Sequence, residues 1–264
     1  MKKRYEEILE TVVETFLKTH EPISSVMLKG RLPFDIAPAT IRYYFNKMVE
    51  RGELAQLHKS SGRIPTENTM KIYWRKHLRN IEVVCSAMDV LAKKAYEEEL
   101  YVLLKPLKEN ELKAVERVAK KYLILVFDFD EYVIRYHNQT EHFLKELIGY
   151  DIDEIKQIAR DVGMISLYNK MRAKLDEEIT VINAEVIIKV AGQESTWGKK
   201  YIRAFLEGGV VEELTPGLHF EPFLPRGFMG LSTEAMIDDR QTKILCIGAI
   251  DNDFTKIFNS KKEA

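Results

Sequence analysis

The order of predicted elements in the first 66 residues restricts the fold of this chain more than any other feature. Apolar residues recur at helical spacing over residues 3–19, which predicts an amphipathic helix. Ser24 or Ser25 can cap a second, short helix, because a serine hydroxyl accepts a bond from a free amide of the first turn. Pro38 suits the first turn of a third helix over residues 38–51, where no backbone donor is needed.

A hairpin with a basic tip is predicted directly behind the third helix. Residues 53–58 can extend as a strand, and residues 59–63 combine Lys, Ser, Ser, Gly and Arg, a composition typical of turns. Helix, short helix, helix and hairpin follow one another in this order in a winged helix-turn-helix. We therefore expect a winged helix-turn-helix domain over residues 1–80.

The charge of the chain is divided unevenly along its length. Residues 1–80 carry 15 Lys and Arg against 9 Asp and Glu, a net charge of +6. Residues 81–264 carry 25 against 32, a net charge of −7. A basic front half and an acidic rear half indicate a polyanionic partner for the front half alone.

The third helix has one apolar face and one face suited to DNA. Ile41, Phe45 and Met48 fall on one side of the helix and are expected in the core. The opposite side, here called the recognition face, consists of Ala39, Arg42, Tyr43 and Asn46. Arginine reads guanine and asparagine reads adenine in the major groove through paired hydrogen bonds. A solvated polar face is the alternative, but the capped helix before it and the basic hairpin behind it favour DNA.

The residues that we expect at the DNA belong to the second helix, the third helix and the hairpin. Flanking residues of the third helix suit phosphate contacts, and glycine and serine in the hairpin allow a phosphate strand to approach. The candidates are Ser24, Ser25, Pro38, Ala39, Thr40, Arg42, Tyr43, Asn46, Lys47, His58, Lys59, Ser60, Ser61, Gly62 and Arg63.

Behind the hairpin, apolar residues alternate at spacings of four and three from Met70 to Ala95. Thr66 can cap the helix that this spacing predicts, and Pro106 ends the region. We expect a connector helix over residues 81–105. Its apolar stripe can pack within its own chain or against a second copy, and the spacing does not choose between the two.

Residues 81–264 mix helices and strands. The predicted elements are a hairpin of strands over 122–127 and 132–136, helices over 141–148, 153–162 and 167–174, a strand over 179–190, a helix over 196–206 and a strand over 243–250. This mixture predicts an α+β domain with one sheet and helices packed against it.

Three short motifs are similar to those of the heat-inducible transcription repressors, the HrcA family. They are Glu21-Pro-Ile-Ser-Ser25, Ala37-Pro-Ala-Thr-Ile-Arg42 and His58-Lys-Ser-Ser-Gly-Arg-Ile-Pro-Thr66. The third motif is the most specific. The strand over 122–127 and the segment Cys246–Phe254 also resemble landmarks of the GAF-like domain in this family. Tyr43 departs from the pattern, because the family usually has asparagine there.

The resemblance implies a dimeric repressor that binds an inverted repeat in double-stranded DNA upstream of chaperone operons. It implies that heat inactivates the repressor and that the chaperonin restores it. For residues 81–264 it implies a GAF-like regulatory and dimerisation domain with an inserted dimerisation segment, which we expect to be reduced in this short chain.

No catalytic residue, metal site or cofactor is predicted. The six histidines lack the spacing of metal ligands, and Cys85 and Cys246 lie in apolar surroundings that favour buried thiols. The chain has neither an apolar run of membrane-spanning length nor a signal peptide, so we expect a cytoplasmic protein. Three alternatives stay open: a winged-helix regulator whose GAF-like domain binds a small molecule, an enzyme with an accessory DNA-binding head, and an interaction module that uses the apolar helix stripe.

Overall fold

Three helices and a two-stranded antiparallel ribbon form the N-terminal unit. The structure is a computed structural model that describes residues 2–58, 61–78, 87–107, 109–175, 179–212, 214–238 and 240–258. The unit contains α1 (Lys2–Thr19), α2 (Ser25–Lys29), α3 (Pro38–Glu50), β1 (Leu54–Ala55) and β2 (Ile64–Pro65). The three predicted helices are confirmed. The strand predicted over 53–58 is shorter than expected, because only Leu54 and Ala55 pair with β2.

The three helices share one apolar core. Ile41, Phe45 and Met48 of α3 are buried, as predicted. They pack in one cluster with residues of α1, α2 and β1, including Ile8 and Leu54. The apolar stripe of each helix therefore faces inward, which leaves the opposite side of α3 toward solvent.

The rest of the described chain contains eight helices and eight strands. In chain order they are α4 (Glu67–His77), α5 (Met88–Glu97), β3 (Tyr101–Pro106), β4 (Leu112–Val118), β5 (Tyr122–Phe127), β6 (Glu131–Arg135), α6 (Asn138–Glu146), α7 (Ile152–Asp161), α8 (Ile165–Leu175), β7 (Thr180–Ile182), α9 (Ala184–Gln193), α10 (Ser195–Leu206), β8 (Gly217–His219), β9 (Phe228–Ile237), β10 (Arg240–Ala249) and α11 (Thr255–Phe258). A 3-10 turn, Gly209–Glu212, lies between α10 and β8.

The prediction of a connector helix over residues 81–105 is wrong at its C-terminal end, because the helix ends at Glu97. Residues 81–86 lie outside the described residues, the helix covers Met88–Glu97, and residues 101–106 form strand β3. Glu99 has a φ of 50°, a left-handed conformation that does not continue a helix. The apolar stripe packs within its own chain wherever it is described, because Met70, Trp74, Leu91 and Ala95 belong to one buried cluster.

The described strands of the rear half form two sheets, whereas the sequence predicted one. The larger sheet has five antiparallel strands in the order β7-β3-β10-β9-β8, and the smaller has the order β4-β5-β6. Strands β3 and β7 are neighbours, with Val102 opposite Ile182. Residues 109–175 therefore leave the larger sheet and return to it, and we call them the inserted segment. Apolar periodicity marks a strand but does not tell which strand it pairs with.

A second correction concerns the strand predicted over 179–190. Only Thr180–Ile182 is extended, and α9 begins at Ala184. Asn183 turns the chain between them with a φ of 53°, which asparagine tolerates better than most residues. A short apolar run looks alike in a buried strand and in a buried helix. Strands β4, β8 and β9 were not predicted at all, whereas the hairpin of β5 and β6, the helices α6, α7, α8 and α10, and the final strand are confirmed.

Both faces of the five-stranded sheet are covered. Tyr101 and Leu103 of β3 point to one face and pack with residues of α9 and α10. Val102 and Leu104 point to the other face, into the cluster that contains residues of α4, α5 and α11. The three-stranded sheet packs on α6, α7 and α8 in a separate cluster. None of the described helices is long and apolar enough to cross a membrane.

Candidate DNA-binding surface

Helix α3 exposes every member of the recognition face. Ala39, Arg42, Tyr43 and Asn46 are exposed, and Tyr43 reaches 55% exposure. Of the remaining candidates on this helix, Thr40 is exposed, and Pro38 and Lys47 are half-buried. The four side chains are available to a partner because Ile41, Phe45 and Met48 anchor the opposite side of the helix in the core.

The two serines of α2 lie in different environments. Ser24 is exposed and is the N-cap, where its Oγ accepts a hydrogen bond from the Met27 amide at 3.1 Å. Ser25 is only 8% exposed, and its Oγ accepts a hydrogen bond from Arg42 Nη1 at 3.4 Å. The Ser25 hydroxyl therefore lies beneath the recognition face and contacts one of its side chains.

The hairpin is joined to the chain before α2. The Ile23 amide donates to the Arg63 carbonyl at 2.8 Å, and the Arg63 amide donates to the Ile23 carbonyl at 2.9 Å. A Cβ atom on Gly62 would lie 2.6 Å from the Pro22 carbonyl, closer than real contacts allow. This close approach requires glycine, and it brings two of the three family-like motifs into contact.

The tip of the hairpin is held by Ser61. Its Oγ accepts a hydrogen bond from the His58 amide at 2.9 Å and donates one to the His58 carbonyl at 2.8 Å. His58 is exposed and Ser61 is half-buried. Lys59 and Ser60 lie outside the described residues.

Arg63 extends from the hairpin to the recognition face. Its Nη1 donates to the Ser61 carbonyl at 3.1 Å, and its Nη2 donates to Asn46 Oδ1 at 3.4 Å. The Arg63 side chain is half-buried, and this burial lowers the pKa of its guanidinium. The sequence placed Arg63 among the hairpin residues near phosphate, and nothing in the local sequence indicated the contact with Asn46.

An aromatic and basic border runs beside the recognition face. Lys47 Nζ lies 4.6 Å from the centroid of the Tyr43 ring, and Tyr43, Tyr44 and Tyr5 form two successive edge contacts. Tyr5 donates a hydrogen bond to Glu53, and burial together with this carboxylate raises the pKa of Tyr5 to about 12. Sequence reasoning did not single out Tyr5, because its helical spacing indicated only a core position.

Helix α4 connects this surface to the rear half. At its start, Thr66 Oγ1 donates to the Gly52 carbonyl at 2.8 Å, and Thr69 Oγ1 donates to the Glu53 carbonyl at 2.7 Å. Further along, Trp74 is fully buried and its Nε1 donates to the Ile250 carbonyl at 2.7 Å. The same helix is therefore bonded to the start of the hairpin and to the end of β10.

Ion pairs also join α4 to the loop before β9 and to α1. Glu67 forms an ion pair with Lys71 Nζ at 2.7 Å and accepts a hydrogen bond from Arg226 Nε at 2.8 Å, and Lys71 also pairs with Glu221. Burial raises the pKa of Glu67, but the hydrogen bonds from Lys71 and Arg226 outweigh it and lower the pKa to about 2. On α1, Glu10 pairs with Lys76 at 2.9 Å and with His77 at 2.8 Å.

The acidic turn between β5 and β6 is occupied by internal bonds. Asp128 accepts from the Glu111 amide at 3.0 Å and pairs with Lys113, and Asp130 accepts from Asn110 Nδ2 at 2.8 Å. Across the described ranges, no group of three His, Cys, Asp or Glu side chains is placed to hold a metal ion.

Comparisons with known proteins place this chain in the class of transcription repressors. Residues 74–264 match the family described as the HrcA C-terminal domain. The chain is 31% identical to the heat-inducible transcription repressor HrcA of Helicobacter pylori strain J99, over 98% of this chain and 95% of that protein. It is 27% identical to HrcA of Clostridium tetani, over 72% of this chain and 53% of that protein. The chain belongs to the HrcA family of heat-inducible transcription repressors.

A solved structure supports the overall fold. A hypothetical protein whose crystal structure was determined at 2.2 Å resolution is similar over 97% of this chain and 96% of its own, with a TM-score of 0.52. The sequence identity is 18%, so this likeness concerns the arrangement of helices and strands alone.

Proposed function

We propose that this repressor acts as a dimer and binds an inverted-repeat operator through a winged helix-turn-helix over residues 1–80. The observation that carries the proposal is the recognition face, where Arg42 and Asn46 stand exposed on a helix beside a basic hairpin. The net charge of +6 over these residues suits a polyanion. In this reading α3 enters the major groove and the hairpin is the wing.

Each part of this domain has a distinct task at the DNA. Arg42 and Asn46 offer the donors and acceptors that distinguish guanine and adenine. The exposed start of α2 at Ser24 and the flank of α3 at Lys47 suit phosphate contacts, which fix the register of the helix on the duplex. His58, together with Lys59 and Ser60 that follow it in the sequence, is proposed to extend the phosphate contacts beyond the groove.

Residues 81–264 are proposed to form the GAF-like regulatory and dimerisation domain. The inserted segment supports this view, because it leaves the five-stranded sheet and builds a sheet and helices of its own. Its three-stranded sheet has an outer face with exposed apolar residues, among them Val118, Tyr122 and Val133 at 41–46% exposure. Such a face suits a second copy of the chain, which would set the distance between two recognition helices.

Family membership supports the proposed regulation. The targets would be chaperone operons, warming would release the operator, and the chaperonin would return the repressor to its active form. A repressor of this kind works in the cytoplasm, where the operator DNA lies. A dimer reads two half-sites only at a fixed spacing, so a change in dimer geometry on warming is sufficient to weaken binding.

A second candidate is a repressor controlled by a small molecule. It is favoured by a cavity of about 510 Å³ between α5 and the sheet, lined by Met88, Leu104, Ile237 and Arg240 among others. A cavity of this size accommodates a small molecule. A screen of a metabolite library tests this candidate. A compound that raises the melting temperature of the protein and changes its operator affinity would favour it.

The proposed function is tested by binding the full chain to a randomised duplex library and recovering the preferred sequence. Arg42→Ala should weaken binding to that sequence about tenfold or more and relax the preference at one base pair. Arg203→Ala is the matched control, because it removes the same charge from an exposed position on α10. Binding that is equal for every duplex, or equal losses in both variants, would contradict the proposal.

A further inference from the structure

Arg63 occupies a position between the hairpin and the recognition face that its assignment as a phosphate contact does not explain. We propose that Arg63 is a positioning residue, which fixes the orientation of the Asn46 side chain for base reading. The inference rests on the proposed DNA-binding function and assigns a different task to one residue within it.

The backbone of Arg63 is fixed on two sides. Its amide and carbonyl are both bonded to Ile23, at 2.9 Å and 2.8 Å. The preceding residue, Gly62, lies so close to the Pro22 carbonyl that no side chain fits there. The guanidinium of Arg63 therefore starts from a well-defined point.

The side chain turns back toward the protein. One arm of the guanidinium donates to the Ser61 carbonyl at 3.1 Å and the other donates to Asn46 Oδ1 at 3.4 Å. The Nε atom is buried and has no hydrogen-bond partner among the described residues. An arginine that only contacts phosphate binds it best when all donors of its guanidinium face solvent. In Arg63, by contrast, both arms of the guanidinium donate to acceptors of the domain itself.

The contact determines which way the Asn46 amide faces. A guanidinium has donors and no acceptor, so it can face Oδ1 of Asn46 but not the Nδ2 amino group. Asparagine reads adenine by accepting a bond at Oδ1 and donating one from Nδ2. With Oδ1 held on the hairpin side, Nδ2 always faces the same direction, and the second lone pair of Oδ1 is left for the base.

A positioning role and a phosphate contact predict different changes in base preference and in the salt dependence of binding. Loss of a positioning residue removes base preference where Asn46 reads, and it leaves the number of neutralised phosphates unchanged. Loss of a phosphate contact weakens binding to all sequences alike. It also makes the plot of log affinity against log salt less steep, because the magnitude of its negative slope falls by about 0.9.

The test compares full-length wild type with Arg63→Ala, Arg63→Lys, Asn46→Ala and the double variant Arg63→Ala/Asn46→Ala on the randomised duplex library at several salt concentrations. Lys47→Ala serves as the reference for a lost phosphate contact. Thermal melting of each variant confirms that it is folded before its binding is compared. Arg63→Lys keeps the charge and the aliphatic stem, so it stays informative if Arg63→Ala does not fold.

We expect Arg63→Ala, Arg63→Lys and Asn46→Ala to lose about tenfold or more in preference at the same base pair, with a salt slope equal to that of wild type. The double variant should lose no more than either single variant. The positioning role would be overturned if Arg63→Ala weakened binding to all sequences equally, if the magnitude of its salt slope fell by about 0.9, and if Arg63→Lys restored the affinity. The DNA-binding function would then remain intact. A wild type without any base preference would overturn both.

Discussion

At the scale of single residues, the surface depends on contacts that no local pattern announces. Ser25 and Arg63 were predicted as DNA contacts, and each lies against a side chain of the recognition face instead of standing free. Composition and spacing identified these residues as important. Their partners, Arg42 and Asn46, are both 17 positions away in the sequence, so only the folded chain reveals them.

Gly62 offers a prediction at this scale. A Cβ atom at this position would lie 2.6–2.7 Å from the backbone of Pro22 and Ile23, which cannot move without breaking the pairing with Arg63. Gly62→Ala should therefore lower the free energy of unfolding by on the order of 1–3 kcal/mol. Urea denaturation of the full chain measures this change.

Gly192→Ala is the control for Gly62→Ala. Gly192 lies in α9, and nothing lies within 4 Å of an added Cβ atom. Alanine there should leave the stability unchanged or raise it by about 0.5–1 kcal/mol, because alanine favours a helix over glycine. Equal stability of the Gly62→Ala and Gly192→Ala variants would show that the hairpin can shift away from Pro22.

At the scale of elements, the N-terminal unit was predictable because its signals are local. Helical spacing, the serine before α2 and the proline at the start of α3 each act within one turn of chain, so their meaning does not depend on distant residues. The apolar run over 179–190 was ambiguous, because α9 has apolar residues at exposed positions such as Ile188 as well as at buried ones, which obscures the helical period.

The pairing of the strands was not predictable from the same signals. Strands β3 and β7 are neighbours although about 75 residues separate them, and both sheets contain strands of similar apolar content. Only the strand pairing places β5 and β6 in the smaller sheet and β9 and β10 in the larger sheet. The division of the rear half into two sheets is thus a property of tertiary pairing.

Helix α4 supplies the prediction at this scale. Trp74→Phe keeps most of the apolar contact but removes the Nε1 donor, which leaves the Ile250 carbonyl without that bond in a buried setting. We expect a loss of about 1–3 kcal/mol in unfolding free energy. Because α4 also bonds to Glu53 at the start of the hairpin, operator affinity should fall in a protein that is still folded.

Trp197→Phe provides the comparison. Trp197 Nε1 donates to the Phe223 carbonyl at 2.7 Å, the same distance as in the Trp74 bond, but it lies in the core on the α10 side of the sheet. Its loss should lower stability to a similar extent and leave operator affinity unchanged. If both variants bind the operator like wild type, α4 does not transmit changes from the rear half to the DNA-binding surface.

At the scale of the whole molecule, a small polar network fastens the first turns of α4, which follows the N-terminal unit, to the five-stranded sheet domain. Glu67, in the first turn of α4, receives Lys71 from its own helix and Arg226 from the loop before β9. Lys71 reaches Glu221 in the same region. All four of these groups would lose a partner if α4 and the loop before β9 moved apart, because Glu67 pairs with Arg226 and Lys71 pairs with Glu221 across the junction.

The low pKa of Glu67 makes this junction sensitive to acid. The folded pKa, about 2, is below the ordinary value of 4.5, so ionised Glu67 stabilises the folded state above pH 4.5. This stabilisation is lost as the pH falls from about 4.5 toward 2. The difference in unfolding free energy between wild type and Glu67→Gln should therefore be constant near neutral pH and shrink below pH 4.5.

Urea denaturation of wild type and Glu67→Gln at a series of pH values between 7 and 3 tests this expectation, with Glu207→Gln as the control. Glu207 pairs with Arg203 on the surface of α10, and exposed pairs of this kind contribute little to stability because water screens them. Its substitution should have little effect at any pH. A Glu67→Gln difference that does not change with pH would mean that Lys71 and Arg226 do not hold Glu67 in its ionised form, and that apolar packing around Trp74 joins the two parts of the molecule.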